Sequence, residues 1–443
     1  MKELQAAEGS TDEKMLKLSV ETGGCFWFQY VLWRPRSMAK TQLQNENRIH
    51  MVETDTNLYV PHRCLRVGDD GCLIGLDKTW PNFVFKLIRC SPTNLLSRIW
   101  IALILSGLAT IHNHIRTTVA DFDALGVCLG TSGTDIPDPK TTVQLLHKYG
   151  FKKVRLLSSN NWMMEALINQ NIVVSIGIAN EELPMVADNL QDNAGSWYNA
   201  NVRPYISKMP IEYIVIGDDA ILSPYSEFVI PAMRNIMQVL RRFDQGSIKV
   251  TTAVSTSVLG KTFPPSQGIF KARTRNIMVD VLKAIAGYKF SPVLMVNVYP
   301  YRYHAAGLIL QDFATFSAHK PVIHDGNNDY WNMLDALLDA FVTALTRENL
   351  GSIRLVVGAS GWPSAGNGRF TTPALAATYN QNFMRRIVRR QGTPAQPTIP
   401  IDGFVYALFN ENKKPGGPAD QHFGLLKTDK TPAYSFVVPH YWR

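Results

Sequence analysis

Two adjacent carboxylates, Asp218 and Asp219, close an apolar run, "EYIVIGDD". A third acid, Glu411, lies in "FNENKK" behind Phe409, with Lys414 three residues further on and Asp420 shortly after. Asn297, Tyr299 and Tyr301 end "VLMVNVYPY", and Trp362 sits in the turn of "IRLVVGASGWPSAG". Carboxylates and amides hydrogen-bond hydroxyl groups, an ammonium group adds charge, and aromatic faces pack on the C–H faces of sugar rings. The mixture suits a carbohydrate groove. Each member also has a plainer reading. Asp218 and Asp219 fit as caps or ion-pair partners at a turn. Glu411 and Lys414 fit as an i,i+3 surface pair, worth a few tenths of a kcal/mol. The two tyrosines fit as a plug, and Trp362 as core. One stretch is conspicuous for what it lacks: Gly358, Ala359 and Ser360 carry no acid, base or strong nucleophile.

The elements that position these residues are regular from residue 124 onward. Short β-rich runs appear at "ALGVCLG", "KKVRLLSS", "IVVSIGIA", "EYIVIGDD", "IKVTTAVS", "VLMVNVYPY", "IRLVVGAS" and "GFVYALFNE". Segments of helical spacing lie between them, among them "TTVQLLHKYG", "FVIPAMRNIMQVLRRF", "MLDALLDAFVTALTREN" and "ALAATYNQNFMRRIVRR". Near-continuous apolar strands imply burial on both faces, hence a parallel sheet covered by helices. Eight such units predict an α/β fold, a (β/α)8 TIM barrel over 125–443. No GxGxxG follows the first strand, which argues against a dinucleotide fold. In a barrel the working residues gather where strands end. The acids, amides and aromatics above all have that address, which favours the functional reading for the set.

The bulk properties bound the rest. The chain has 443 residues, 46% of them apolar and 18% charged, with a formal net charge of +9. That charge suits a polyanionic partner, but the basic residues are scattered, and "RRIVRR" at 385–390 has the spacing of a solvated helix face. No nucleic-acid signature accompanies it, so no nucleic acid is expected as partner. Five cysteines, only one of them beyond residue 90, match no zinc pattern. Before the barrel, residues 1–98 read as an irregular extension, and 99–124 as a signal-peptide-like segment. Its apolar run, 99–111, is too short to span a bilayer, which takes roughly 20 residues. No integral membrane span is expected in the mature protein.

These residues resemble the plant endo-β-1,3-glucanases, glycoside hydrolase family 17. The resemblance rests on "GVCLG", "VIPAMRNI", "STSVLGKTFPPSQGIF", "VNVYPY", "SGWPSAG", "TYNQN", "FNENKKPGG" and "FGLL", in order from Leu125 to the C-terminus. It implies a (β/α)8 barrel, a β-1,3-glucan partner, no cofactor or metal, a monomer, and a secreted or vacuolar location. It also implies a retaining attack, which needs two carboxyl groups about 5–5.5 Å apart. The family's proton donor, the glutamate of "GNE", falls on Asp219, with Asp218 in place of the asparagine. Its nucleophile, the glutamate of "SESGWPS", falls on Ala359, with Gly358 in place of the first serine. The tyrosine of "GVCYG" is Leu129, and a further family glutamate is Asp420. Glu411 and Lys414 keep the supporting pair, and Tyr299 and Trp362 keep the aromatic wall. The resemblance thus implies a sugar-binding mouth without its attacking carboxylate, and weak or no hydrolysis. An active glucanase with a rearranged carboxylate set is the alternative.

Overall fold

The computed structural model describes residues 124–288 and 291–439, and before them only the backbone of seven strands between Lys2 and Arg89. The chain divides into two compact units, Met1–Asp121 and Phe122–Arg443. In the first unit the seven strands pair into one sheet, antiparallel at every pairing except that of Lys17–Glu21 with Asn82–Arg89. The sequence pattern singles out no strand there. The signal-peptide-like segment, apart from its last residue, lies outside the described residues.

The second unit is a closed barrel of eight parallel strands in sequence order. They are β1 (Leu125–Leu129), β2 (Lys153–Leu156), β3 (Val173–Ile178), β4 (Ile211–Asp218), β5 (Lys249–Ser255), β6 (Val293–Asn297), β7 (Arg354–Ser360) and β8 (Asp402–Val405). β1, β2, β3 and β6 are buried at every position, β2 even at Lys153 and Arg155. Helices separate the strands: α1 (Pro139–Tyr149), α2 (Asn161–Leu167), α3 (Leu183–Asp188), α4 (Gly195–Asn201), α5 (Ser226–Arg242) and α6 (Ala272–Ala286). After β6 come α7 (Pro300–Ala305), α8 (Gln311–Ala314) and α9 (Met333–Arg347), and after β7 comes α10 (Pro373–Val388).

Local signals set the helix ends. Asp138 caps α1 by accepting from the amide of Thr141, Pro139 opens the helix, and Gly150 closes it at φ 80°. Asn160, Asn332 and Thr372 cap α2, α9 and α10 in the same way. Where strands begin, Lys153, Glu212, Lys249 and Asp402 form a charged plug. The Lys153 ammonium, wholly buried, lies 2.7 Å from the Glu212 carboxylate, and Lys249 approaches the other oxygen at 3.0 Å. Burial alone would raise the Glu212 pKa, but the two ammonium groups outweigh it and hold the carboxyl below its usual range. Among the described residues no helix is long and apolar enough to cross a membrane.

Candidate active site

The strand ends bring Asp218, Asp219 and Asn297 into one hydrogen-bonded network. β4 finishes at Asp218 between two left-handed residues, Gly217 at φ 69° and Asp219 at φ 54°. A Cβ on Gly217 would press on Ala220 and the Asn180 side-chain oxygen, so this turn requires glycine. Asn180, just beyond β3, clamps the Asp218 backbone from both sides: its oxygen accepts from the Asp218 amide (2.9 Å) and its NH2 donates to the Asp218 carbonyl (3.0 Å). The Asp218 carboxylate accepts from the Asn297 side chain at 2.6 Å and pairs with Arg155 at 3.3 Å.

Arg155 is the hub. It projects from β2, is buried, and donates to the Gly358 carbonyl at 2.8 Å as well as to Asp218. Neither Arg155 nor Asn180 was among the expected site residues. An arginine between the apolar Val154 and Leu156, and an amide following "IVVSIGIA", were the available signals. The Cys128 thiol donates to the same Gly358 carbonyl, and burial pushes its pKa up to about 12, so it stays neutral. Asp219 opens to solvent at the surface yet has protein packed around its carboxyl. Burial first and the Asp218 charge second raise its pKa to about 6, against the opposing hydrogen bonds from Ser255 and Asn297. It therefore exchanges a proton near neutral pH.

On β7, Ala359 pairs in register with Asn297, and its carbonyl accepts from the Val298 amide. The methyl group is buried. Next to it, Ser360 donates to the Val298 carbonyl and meets the Tyr379 hydroxyl. Trp362 is wholly buried, edge-on to Tyr301 at 5.3 Å, with its indole N–H donated to the Phe370 carbonyl. The expectation that it walls the groove fails here. The ring is worth more packed among Tyr301, His304 and Tyr379 than exposed, and it offers no open face. Tyr301 and Phe409 are buried too: the Tyr301 hydroxyl accepts from Asn367, and Phe409 pairs with Leu426. Tyr299 is half-buried and meets Tyr406 and Phe423 edge-on.

Glu411 is buried and fully engaged. One oxygen accepts from the Ser132 amide (2.9 Å), the other from the Tyr406 hydroxyl (2.6 Å). A Cβ on Gly130 would overlap that carboxylate, so the glycine of "GVCLG" makes room for it. The plain Glu411–Lys414 surface pair does not form. The Lys414 ammonium instead sits 5.2 Å above the Tyr406 ring. Asp420 accepts from the Gly417 amide and pairs with Arg302 at 3.1 Å, and Arg302 in turn lies over Tyr299. Asp218, Asp219, Asn297 and Tyr299 thus stand together, Glu411 and Lys414 join through Tyr406, and Asp420 stands at the margin. Among the described residues no cluster of histidine, cysteine or acidic side chains is arranged to hold a metal ion.

An eight-stranded parallel barrel with carboxylates, amides and tyrosines at its strand ends is the framework of a glycoside hydrolase. The chain belongs to glycosyl hydrolases family 17, whose family model matches residues 125–437. It is 35% identical over 316 residues to a probable glucan endo-1,3-beta-glucosidase of Arabidopsis thaliana, covering 70% of this chain and 90% of that one. A basic vacuolar isoform of glucan endo-1,3-beta-glucosidase from Nicotiana plumbaginifolia is 33% identical, with 75% and 91% covered. Among solved structures, a beta-1,3-glucanase and allergen of Cryptomeria japonica pollen superposes with a TM-score of 0.68 at 34% identity, covering 71% of this chain and 98% of that one.

Proposed function

We propose that this chain binds β-1,3-glucan at the barrel mouth and hydrolyses it weakly or not at all. The substrate class follows from the relatives, which are named for 1,3-β-glucan cleavage. Ala359 carries the second half of the reading. A methyl group at the nucleophile position cannot form a glycosyl ester, so the covalent step of a retaining mechanism has no acceptor. The remaining carboxylates are committed elsewhere: Asp218 to Arg155 and Asn297, Glu411 to Ser132 and Tyr406. Asp219 retains a proton to give near pH 6. Its side chain, however, is one methylene shorter than glutamate, and a displacement of about 1 Å can forfeit about 10²-fold in rate. Sugar hydroxyls are left to the polar network, with Tyr299 and Lys414 beside it. A secreted or vacuolar location and a monomeric state complete the proposal.

Electrophoresis through gels containing laminarin, paired with a reducing-sugar assay on the same polymer, tests it. Retarded migration without new reducing ends is expected. Unchanged migration would remove the binding half of the reading. Cleavage at the rate of an ordinary glucanase would remove the other half and favour a rearranged carboxylate set.

A further inference from the structure

A cavity of about 670 Å³ lies between the start of α9 and the C-terminal turn of α10 with the segment that follows it. It shares no lining residue with the network around Asp218 and Glu411. Its volume falls within the roughly 300–1,000 Å³ of small-molecule sites. Arg386 and Asp335 make a buried ion pair there. The guanidinium bonds both Asp335 oxygens (2.9 and 3.3 Å) and gives two further hydrogens to the Gln391 and Gly392 carbonyls. Asn332 further satisfies Asp335 at 2.8 Å. The Asp335 carboxylate matches the Arg386 charge, and four of the five guanidinium hydrogens are bonded within the protein.

Two more guanidiniums line the cavity, those of Arg385 and Arg389, spaced one helical turn apart and exposed. Among the described residues neither has a carboxylate partner. The negative end of the α10 dipole accounts for cations at this helix terminus. It does not account for Trp331, which lines the same cavity with 47% of its surface exposed. Nor does it account for Asn382, whose NH2 donates to the Thr315 carbonyl while its oxygen accepts from no donor among the described residues. Paired forks for carboxylates, an open indole face and a free amide acceptor together match a sugar that carries acid groups.

We propose that this cavity is a second carbohydrate site, selective for uronate-bearing oligosaccharides. Arg385 and Arg389 bind the carboxylates, Trp331 stacks on a ring face, and the Asn382 oxygen accepts from a hydroxyl. A neutral glucan would leave both guanidiniums unmatched. A nucleic acid would call for a longer basic track than two arginines.

Calorimetric titration of the full chain with α-1,4-linked trigalacturonate tests the site. Binding is expected to weaken when salt is raised from about 0.05 to 0.5 M. Arg385→Ala/Arg389→Ala should reduce affinity by about tenfold or more, and Trp331→Ala should also weaken it. The same trisaccharide with its carboxyls reduced to alcohols should not bind. All three side chains are exposed, so the variants should fold, and their retardation in laminarin gels should match that of the parent. No detectable binding overturns the proposal, as does binding that the double variant leaves intact. Tripolyphosphate or single-stranded RNA binding as tightly as trigalacturonate, with Trp331→Ala neutral, would also overturn it by showing a generic basic patch. Because the readout is a different ligand at different residues, neither result bears on the laminarin test.

Discussion

At the scale of single residues the proposed function turns on positions 219 and 359. If those two groups alone separate this chain from a working glucanase, Ala359→Glu combined with Asp219→Glu should produce reducing ends from laminarin, while Asp219→Glu alone should not. Silence from the double variant in a folded protein would place further damage in the mouth, with Leu129 the first suspect. Asp219 also makes a prediction about pH. Its pKa is raised from 3.8 to about 6, so the folded state holds its proton more tightly than the unfolded chain. That contribution to stability is complete below about 4 and is lost as pH rises through about 6. Wild type should therefore lose ground to Asp219→Asn across that window and run parallel to it outside, as urea unfolding at a series of pH values would show. Asp339, whose pKa burial also raises to about 6, titrates in the same range. The difference between the two proteins cancels its contribution. At this scale the sequence was informative about which acids matter and silent about their engagement. Spacing places Asp218 at a strand end, but the buried arginine that holds it comes from a strand 63 positions earlier in the chain.

At the scale of elements, seven barrel strands were legible because parallel strands buried on both faces leave long apolar runs. The eighth was misleading. "GFVYALFNE" reads as one strand, yet the barrel strand ends at Val405. Ala407, Leu408 and Asn410 then bond to Phe423, Cys128 and Leu426. One apolar run thus serves two partners, and only the tertiary structure shows the change. The aromatic residues misled for a related reason: apolar rings at strand ends serve a groove or a core equally well until burial is known. The charged plug at the opposite end gives the prediction for this scale. Glu212→Gln leaves the wholly buried Lys153 ammonium without its nearest counter-charge and should cost about 3–5 kcal/mol in denaturant unfolding. At the mouth, Gly130→Ala must displace the Glu411 carboxylate, and a loss of about 1–3 kcal/mol is expected from the overpacking.

At the scale of the whole molecule, the barrel unit begins at Phe122 and the family match spans 125–437. Residues 122–443 expressed alone should therefore fold cooperatively, with a thermal transition and far-UV circular dichroism of a mixed α/β protein. Failure to fold would mean that the preceding segment contributes to the core. The barrel was legible from its repeating strand–helix alternation. The strands before residue 90 were not, since no comparable period of apolar residues marks them.

The burial of Trp362 has an optical consequence. An indole sealed among other rings emits toward the blue and is shielded from iodide, whereas Trp162, with 78% of its surface exposed, meets the quencher freely. The intrinsic fluorescence should separate into a quenchable and a protected fraction, and glucan entering the mouth should leave the protected one unaltered.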